Sequence, residues 1–327
     1  MNQQLAIGID IGGTNTVFGL VDARGNIKYR GAIGTKKQAD VNDFINDLYK
    51  AILPAIEEVG GKEMIRGIGI GAPNGNYYKG TIEYAPNLDW KGIIPFADLV
   101  HQKFGLAAAL TNDANAAAVG EMMYGAAKGM KDFIMITLGT GVGSGIVANG
   151  QLIYGHDGFA GELGHCIVIP NGRLHWGTGF KGSLEAYASA TGVAVTAKEF
   201  LEQRKDEPSL LRQYTIEQID SKKVYDAAIA GDAIAKDVYE FTGSVLGAAL
   251  ANFVMFSSPE AIILFGGLTK ANELILEPTQ RYMEQNLLPI FHNKIKLLFS
   301  QLNESDAAIL GASALVWELK QDVLTPL

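Results

Sequence analysis

The stretch LAIGIDIGGTNTVFGLV at residues 5–21 decides how the chain begins to fold. Residues 5–10 are largely apolar and end on Asp10, Gly12, Gly13, Thr14 and Asn15 make a turn, and 17–21 resume a strand pattern. Two apolar runs flanking a glycine-rich turn read as paired strands. A second turn at Arg24, Gly25 and Asn26 leads into a third strand over 27–32. The chain therefore opens on a β-meander, not on the strand-turn-helix of a dinucleotide-binding fold.

The same unit recurs further on. Residues 133–138 read as a strand, Gly139, Thr140 and Gly141 as a turn, 143–147 as the next strand, and Asn149-Gly150 as a hairpin turn. Such repetition predicts two related half-molecules. Between the units lie a helix over 41–58, with Phe44, Leu48, Ile52 and Ile56 on one face, and a strand over 65–70. A Gly/Pro/Asn-rich loop follows over 71–80, then a strand over 107–111 and an Ala-rich helix from Ala114. Beyond the second unit come a long glycine-rich loop region over 155–183, helical patterns over 184–256 and a strand over 261–265 ending at Gly266 and Gly267. A closing helix runs from Asp306 to about Leu319. Loops as long as 155–183 are commonly functional.

Composition narrows the class. A chain of 327 residues suits two domains, and 48% hydrophobic with 19% charged residues is ordinary for a globular protein. A net charge of −8 argues against a broad nucleic-acid footprint, though not against phosphate ligands, which backbone N–H groups bind unaided. Cys166 is the only cysteine, so no intramolecular disulfide forms and a reducing compartment fits. The first residues carry no secretory signal, and no uninterrupted apolar run reaches the roughly 20 residues that span a bilayer. A cytoplasmic protein without nucleic-acid or membrane partners is expected.

Four constellations carry chemistry. Around Gly12 and Gly13 the backbone can approach a phosphate, Thr14 and Asn15 add donors, and Asp10 is placed to hold a hydrated magnesium ion; a tight hairpin with a capping Asp is the plainer alternative. Gly139, Gly141, Gly143 and Gly145 alternate where strands prefer packing side chains, so a closely approaching ligand would explain them. Neither turn has the lysine of a Walker loop. Asp113 falls where a strand gives way to a helix, either as that helix's cap or as a general base. Glu162 and His165, with Glu185 further on, offer acceptors and a donor for several hydroxyls, although each alone reads as an ordinary hydrogen-bonding residue.

In order and separation these motifs resemble the ROK family of sugar kinases, repressors and related open reading frames. The resemblance covers nearly the whole chain: 10–16, the loop 72–87, 112–115, 139–145 and 161–165. It implies an α/β, duplicated actin-like (ribonuclease H-like) ATPase fold with two domains and a cleft between them. The smaller would comprise residues 1–112 plus about 304–327, the larger 113–303. It implies ATP phosphates on Asp10, Gly12, Gly13, Thr14 and Asn15 and on Gly139, Thr140, Gly141 and Gly143, with Gly266 and Gly267 near the adenosine. Asp113 becomes the catalytic base, Asn112, Glu162, His165 and Glu185 become sugar-hydroxyl ligands, and Gly75 contacts the sugar through its backbone. ATP and magnesium are the implied cofactors, a hexose such as glucose the substrate, and a homodimer the assembly. N-acetylglucosamine, N-acetylmannosamine, mannose and fructose are alternative substrates, and the loop 71–87, with Asn74, Asn76, Tyr77 and Tyr78, is the candidate for choosing among them.

One departure stands out. The family's zinc site uses a His and three cysteines in a CxCGxxGCxE segment; aligned on Gly179, Gly182 and Glu185, the cysteine positions hold Trp176, Thr178 and Ser183. These are not zinc ligands. His165, Cys166 and His175 are poor substitutes, since adjacent residues rarely point at one metal. No bound zinc is expected, and packing of Trp176 and Phe180 is expected to hold the loop. The rival readings are a sugar-sensing repressor, for which the nine residues before Asp10 leave no room for a helix-turn-helix domain, and a non-catalytic sugar binder, which has no need of Asp113 and two phosphate turns.

Overall fold

A computed structural model describes residues 4–37 and 39–318. Residues 319–327, assigned by sequence to the smaller domain and including Leu319 of the closing helix, lie outside the described residues. The meander is β1 (Leu5–Ile11), β2 (Asn15–Asp22) and β3 (Ile27–Gly34), followed by α1 (Val41–Glu58) and β4 (Ile65–Ala72). Short strands β5 (Gly75–Asn76), β6 (Thr81–Glu83) and β7 (Ile93–Ile94) precede α2 (Phe96–Phe104), β8 (Ala108–Asn112) and α3 (Asp113–Tyr124). The second half begins with β9 (Phe133–Leu138), β10 (Val142–Ala148) and β11 (Gln151–Leu152). Helices α4 (Glu185–Ala188), α5 (Ala190–Gln203), α6 (Ser221–Ile229) and α7 (Ala233–Ser257) follow. It closes with β12 (Ala261–Phe265), α8 (Glu273–Gln285), β13 (Lys296–Phe299) and α9 (Glu304–Glu318).

The two five-stranded sheets share one topology, β3-β2-β1-β4-β8 and β11-β10-β9-β12-β13. In each, the first three strands pair antiparallel and the last three parallel. The duplication expected from the repeated glycine turns is thus a duplication of whole sheets. It places the β1–β2 and β9–β10 turns at the same corner of their respective sheets. Sequence reading missed β13 and the helices α2 and α8, and it gave 71–80 entirely to loop. Gly75 and Asn76 there form β5, and a Cβ on Gly75 would lie 2.4 Å from the Thr111 carbonyl oxygen. The closing helix starts at Glu304, not Asp306.

One core joins the first sheet to α1 and α2, with Phe44, Leu48 and Ile52 fully buried; burial stabilises each by about 1.5–3 kcal/mol. A second joins β9, β10 and β12 to the helices of the second half. α7 is long and apolar enough, by length and composition alone, to cross a membrane, but Val238, Leu246 and Leu250 bury it inside that core. Between the two sheets lie α3 and α9. A Cβ at Gly8 would come within 2.2 Å of the Ile309 carbonyl oxygen and one at Gly69 within 1.9 Å of that of Ala312, so α9 rests directly on the backbones of β1 and β4. Where α3 crosses α9, a Cβ on Gly120 would lie 2.8 Å from the Gly311 α-carbon. Glycine at these positions permits the contact of backbone on backbone.

Candidate active site

The first turn is closed by the Gly12 N–H donating to the Asn15 carbonyl at 3.0 Å. A Cβ on Gly12 would lie 2.7 Å from that oxygen, and one on Gly13 would lie 3.0 Å from the Asn87 carbonyl, so both glycines are needed for shape. Thr14 and Asn15 are exposed beside them.

The second turn is closed by the Gly139 N–H donating to the Gly141 carbonyl at 3.0 Å. The start of α5 lies against it: the Ala190 N–H donates to the Gly139 carbonyl at 2.9 Å, and the Thr191 hydroxyl to that of Thr140 at 3.1 Å. Ser189 caps the helix by accepting the Gly192 N–H. The positive end of a helix dipole thus stands at the turn, an arrangement that favours phosphate. Beside it opens a cavity of about 560 Å³ lined by Gly139, Thr140, Tyr225, Gly267 and Leu268 among others. Gly267 faces this cavity, whereas Gly266 is not part of its lining; Gly266 has φ 106° and packs on Leu138.

Asn112 and Asp113 sit where β8 becomes α3. The cap is Asn112, whose Oδ1 accepts the Ala114 N–H at 2.8 Å. Asp113 Oδ1 also accepts that N–H at 2.8 Å, and the residue is exposed at a small cavity that Asn112 and Glu162 also line. The Asp113 side chain is reachable by solvent yet ringed by protein, and loss of bulk water around it raises its carboxyl above the usual range, partly offset by the backbone hydrogen bond. Burial, then the nearby Asp113, pushes Asp10 up to about 7. Among the described residues no cationic side chain pairs with either carboxylate.

The loop bearing Glu162 is held by β10. The Ser144 hydroxyl donates to the Gly161 carbonyl and accepts the Leu163 N–H at 3.2 Å. Partial burial raises the Glu162 carboxyl, His165 lowers it, and Asp113 and Glu185 raise it further, so these three carboxylates share one electrostatic environment. His165 Nε2 lies 3.8 Å from Glu162. Glu185 reaches the second turn, accepting the Val142 N–H at 2.7 Å. A cavity of about 40 Å³, room for a few waters, lies among Asn112, Asp113, Gly143, Phe159, Gly161 and Glu162. Gly75 does not line it, and the close packing on Thr111 accounts for that glycine.

The order of these elements is matched by known proteins. The ROK family model matches residues 6–318. The chain belongs to the ROK family. It is 36% identical over 325 residues to a glucokinase of Halalkalibacterium halodurans, covering 98% of this chain and 96% of that protein. A solved ROK glucokinase of Streptomyces griseus, in complex with glucose and AMPPNP, is 34% identical with a TM-score of 0.77, covering 95% of this chain and 98% of that one. A putative xylose repressor of a Caldicellulosiruptor species is 27% identical, covering 96% of this chain and 78% of the repressor. The fold is accordingly the duplicated actin-like ATPase fold of the ROK sugar kinases.

The ROK zinc site does not fit this chain. No three His, Cys, Asp or Glu side chains are grouped to hold a metal among the described residues. Thr178 Oγ1, at one former cysteine position, is hydrogen-bonded to His175 Nδ1, while Ser183 Oγ and His165 Nδ1 are buried without a partner among the described residues. Nor do Trp176 and Phe180 hold the loop: they are 81% and 53% exposed. That expectation is corrected, because the loop is pinned by polar contacts. Arg173 stacks on Tyr187 at 4.6 Å, donates to the Ala186 carbonyl at 2.6 Å, and grips Glu199 with two nitrogens at 3.0 and 2.5 Å. From the other side His175 meets Glu185. Sequence reasoning missed Arg173 as an anchor and set His175 aside, because neither pairing has a local spacing signal.

Proposed function

We propose that this ATP-dependent sugar kinase transfers the γ-phosphate of ATP to the 6-hydroxyl of a hexose, with glucose as substrate. The observation that most supports the reading is the placement of two glycine turns at equivalent sheet corners, with Asp113 exposed at the small cavity it shares with Glu162. In this reading Gly12, Gly13, Thr14 and Asn15 take one side of the phosphates and Gly139, Thr140 and Gly141 the other. The cavity beside Gly267 takes the adenosine. Asn112, Glu162, His165 and Glu185 orient the sugar. Asp113 accepts the proton of the 6-hydroxyl as its oxygen bonds to the γ-phosphorus, and the bond to the β–γ bridging oxygen breaks to release ADP.

Magnesium, when bound, neutralises charge on the β- and γ-phosphates, and Asp10 would hold it through water. A pair of carboxylates without cationic partners suits such an ion, and one or two carboxylates suffice where phosphate supplies the other oxygens. In this reading two lobes, residues 1–112 with 304–327 and residues 113–303, close on the sugar and exclude water from the site. The same reading carries a cytoplasmic homodimer. A coupled ADP-release assay against glucose, mannose, fructose, N-acetylglucosamine and N-acetylmannosamine tests it. Highest kcat/KM on glucose is expected; sugar binding without ADP release would instead favour the sensing role of the repressor relatives.

A further inference from the structure

Glu185 is held from two directions. Its Oε2 accepts the Val142 N–H of the second glycine turn at 2.7 Å, and its Oε1 lies 2.9 Å from His175 Nε2. Gly141 makes room for this carboxylate, since a Cβ there would lie 2.4 Å from Oε2. The tautomer of His175 is fixed by its other nitrogen. Nδ1 lies 3.3 Å from the Thr178 N–H and 3.0 Å from the Thr178 hydroxyl, whose own oxygen accepts the Phe180 N–H at 3.3 Å. Nδ1 is therefore the acceptor, and Nε2 carries the proton that goes to Glu185. Both side chains are 14% exposed, so the bond is sheltered from competing water.

The loop carrying His175 is the one in which Trp176, Thr178 and Ser183 stand at the family's zinc-binding cysteine positions. We propose that His175 is a positioning residue: through its Nε2–H it fixes the Glu185 carboxylate for the sugar hydroxyls and joins its own loop to the second phosphate turn. Each carboxylate oxygen has two lone pairs, so both remain able to accept a hydroxyl while held. Arg173 anchors the same loop to α5, which makes it a rigid support for His175. The inference rests on Glu185 being a sugar ligand.

The test compares His175→Leu, His175→Asn, His175→Gln and Glu185→Gln in the full chain, with KM for glucose, KM for ATP, kcat and melting temperature measured for each. Leucine and the too-short asparagine should raise the glucose KM about tenfold, the equivalent of about 1.4 kcal/mol, with the ATP KM within about threefold of wild type. Glutamine, which can place an N–H near the same point, should restore the glucose KM to within about threefold. His175→Leu combined with Glu185→Gln should be no worse than Glu185→Gln alone. If Glu185→Gln raises the glucose KM while both H175L and H175N leave it unchanged, the inference on His175 is overturned and the sugar-ligand reading stands. If Glu185→Gln itself leaves the glucose KM unchanged, the sugar-ligand reading has failed first. Equal loss toward both substrates with a lowered melting temperature, unrescued by glutamine, would mark general loosening and also overturn the inference. Should H175L not fold, the H175N and H175Q pair decides by the same criteria.

Discussion

Asp10 and Asp113 both pack against Gly71. Strand pairing sets Asp10 beside Gly71 and Gly71 beside Thr111, and a Cβ on Gly71 would lie 3.2 Å from Asp10 Oδ1 and 3.6 Å from the Asp113 α-carbon. Glycine there leaves room for the Asp10 carboxylate and the Asp113 backbone, and repulsion from Asp113 adds to burial in raising Asp10. A site that concentrates uncompensated negative charge gains when a cation and its phosphate ligand arrive.

Asp113→Asn should lower kcat by about 10²–10⁴ while leaving sugar binding largely intact, as expected for loss of a general base. Single-turnover rates and sugar titration by calorimetry separate the two. A near-wild-type rate would refute the base assignment. Because the Asp113 carboxyl is raised and a base must be ionised to act, kcat/KM should fall on acidification above the usual carboxylate range near 4.

Asp10 makes the protein without nucleotide or magnesium pH-sensitive. Its folded-state carboxyl titrates at about 7, whereas in the unfolded chain it titrates near 3.8. The stability associated with the protonated form is fully present below about 4 and is lost as pH rises to about 7 and beyond. Asp10→Asn, neutral at every pH, should stabilise the ligand-free protein at pH 8 by up to about 4 kcal/mol and raise its melting temperature by several degrees. No gain at pH 8, or an equal gain at pH 4, would count against it.

Between the loop 71–87 and the segment 154–158, the Asn76 amide donates to the Asp157 carbonyl at 2.7 Å, the Tyr78 hydroxyl donates to that of Gly155 at 3.0 Å, and Tyr77 stacks on Tyr154 at 3.9 Å. A Cβ on Gly158 would lie 2.6 Å from Asn76 Oδ1. This contact joins the loop 71–87 to the segment that walls the small cavity. Asn76→Ala and Tyr154→Ala should each change the kcat/KM ratio of glucose to N-acetylglucosamine by about threefold or more, with ATP KM little altered. An unchanged ratio in both would remove the loop from substrate selection.

Elemental analysis of purified protein should find less than about 0.1 zinc per chain, and a chelator should leave the melting temperature unchanged in magnesium-free buffer. Stoichiometric zinc would contradict the donor chemistry of Thr178, Ser183 and Trp176.

The sequence by itself determined the repeated strand-turn-strand unit, the two glycine turns and the order of motifs that marks the ROK family. These are local: a glycine turn between apolar runs, or a helix face of Phe44, Leu48 and Ile52, is written within a few residues. Only the tertiary structure decided the rest. It tied Gly75 to close packing, left Trp176 and Phe180 exposed, and brought His175 to Glu185 and Asn76 to Asp157. Those pairings join segments up to 81 residues apart, and no spacing along a chain encodes which distant hydrogen-bonding groups meet once two sheets and the helices between them have packed.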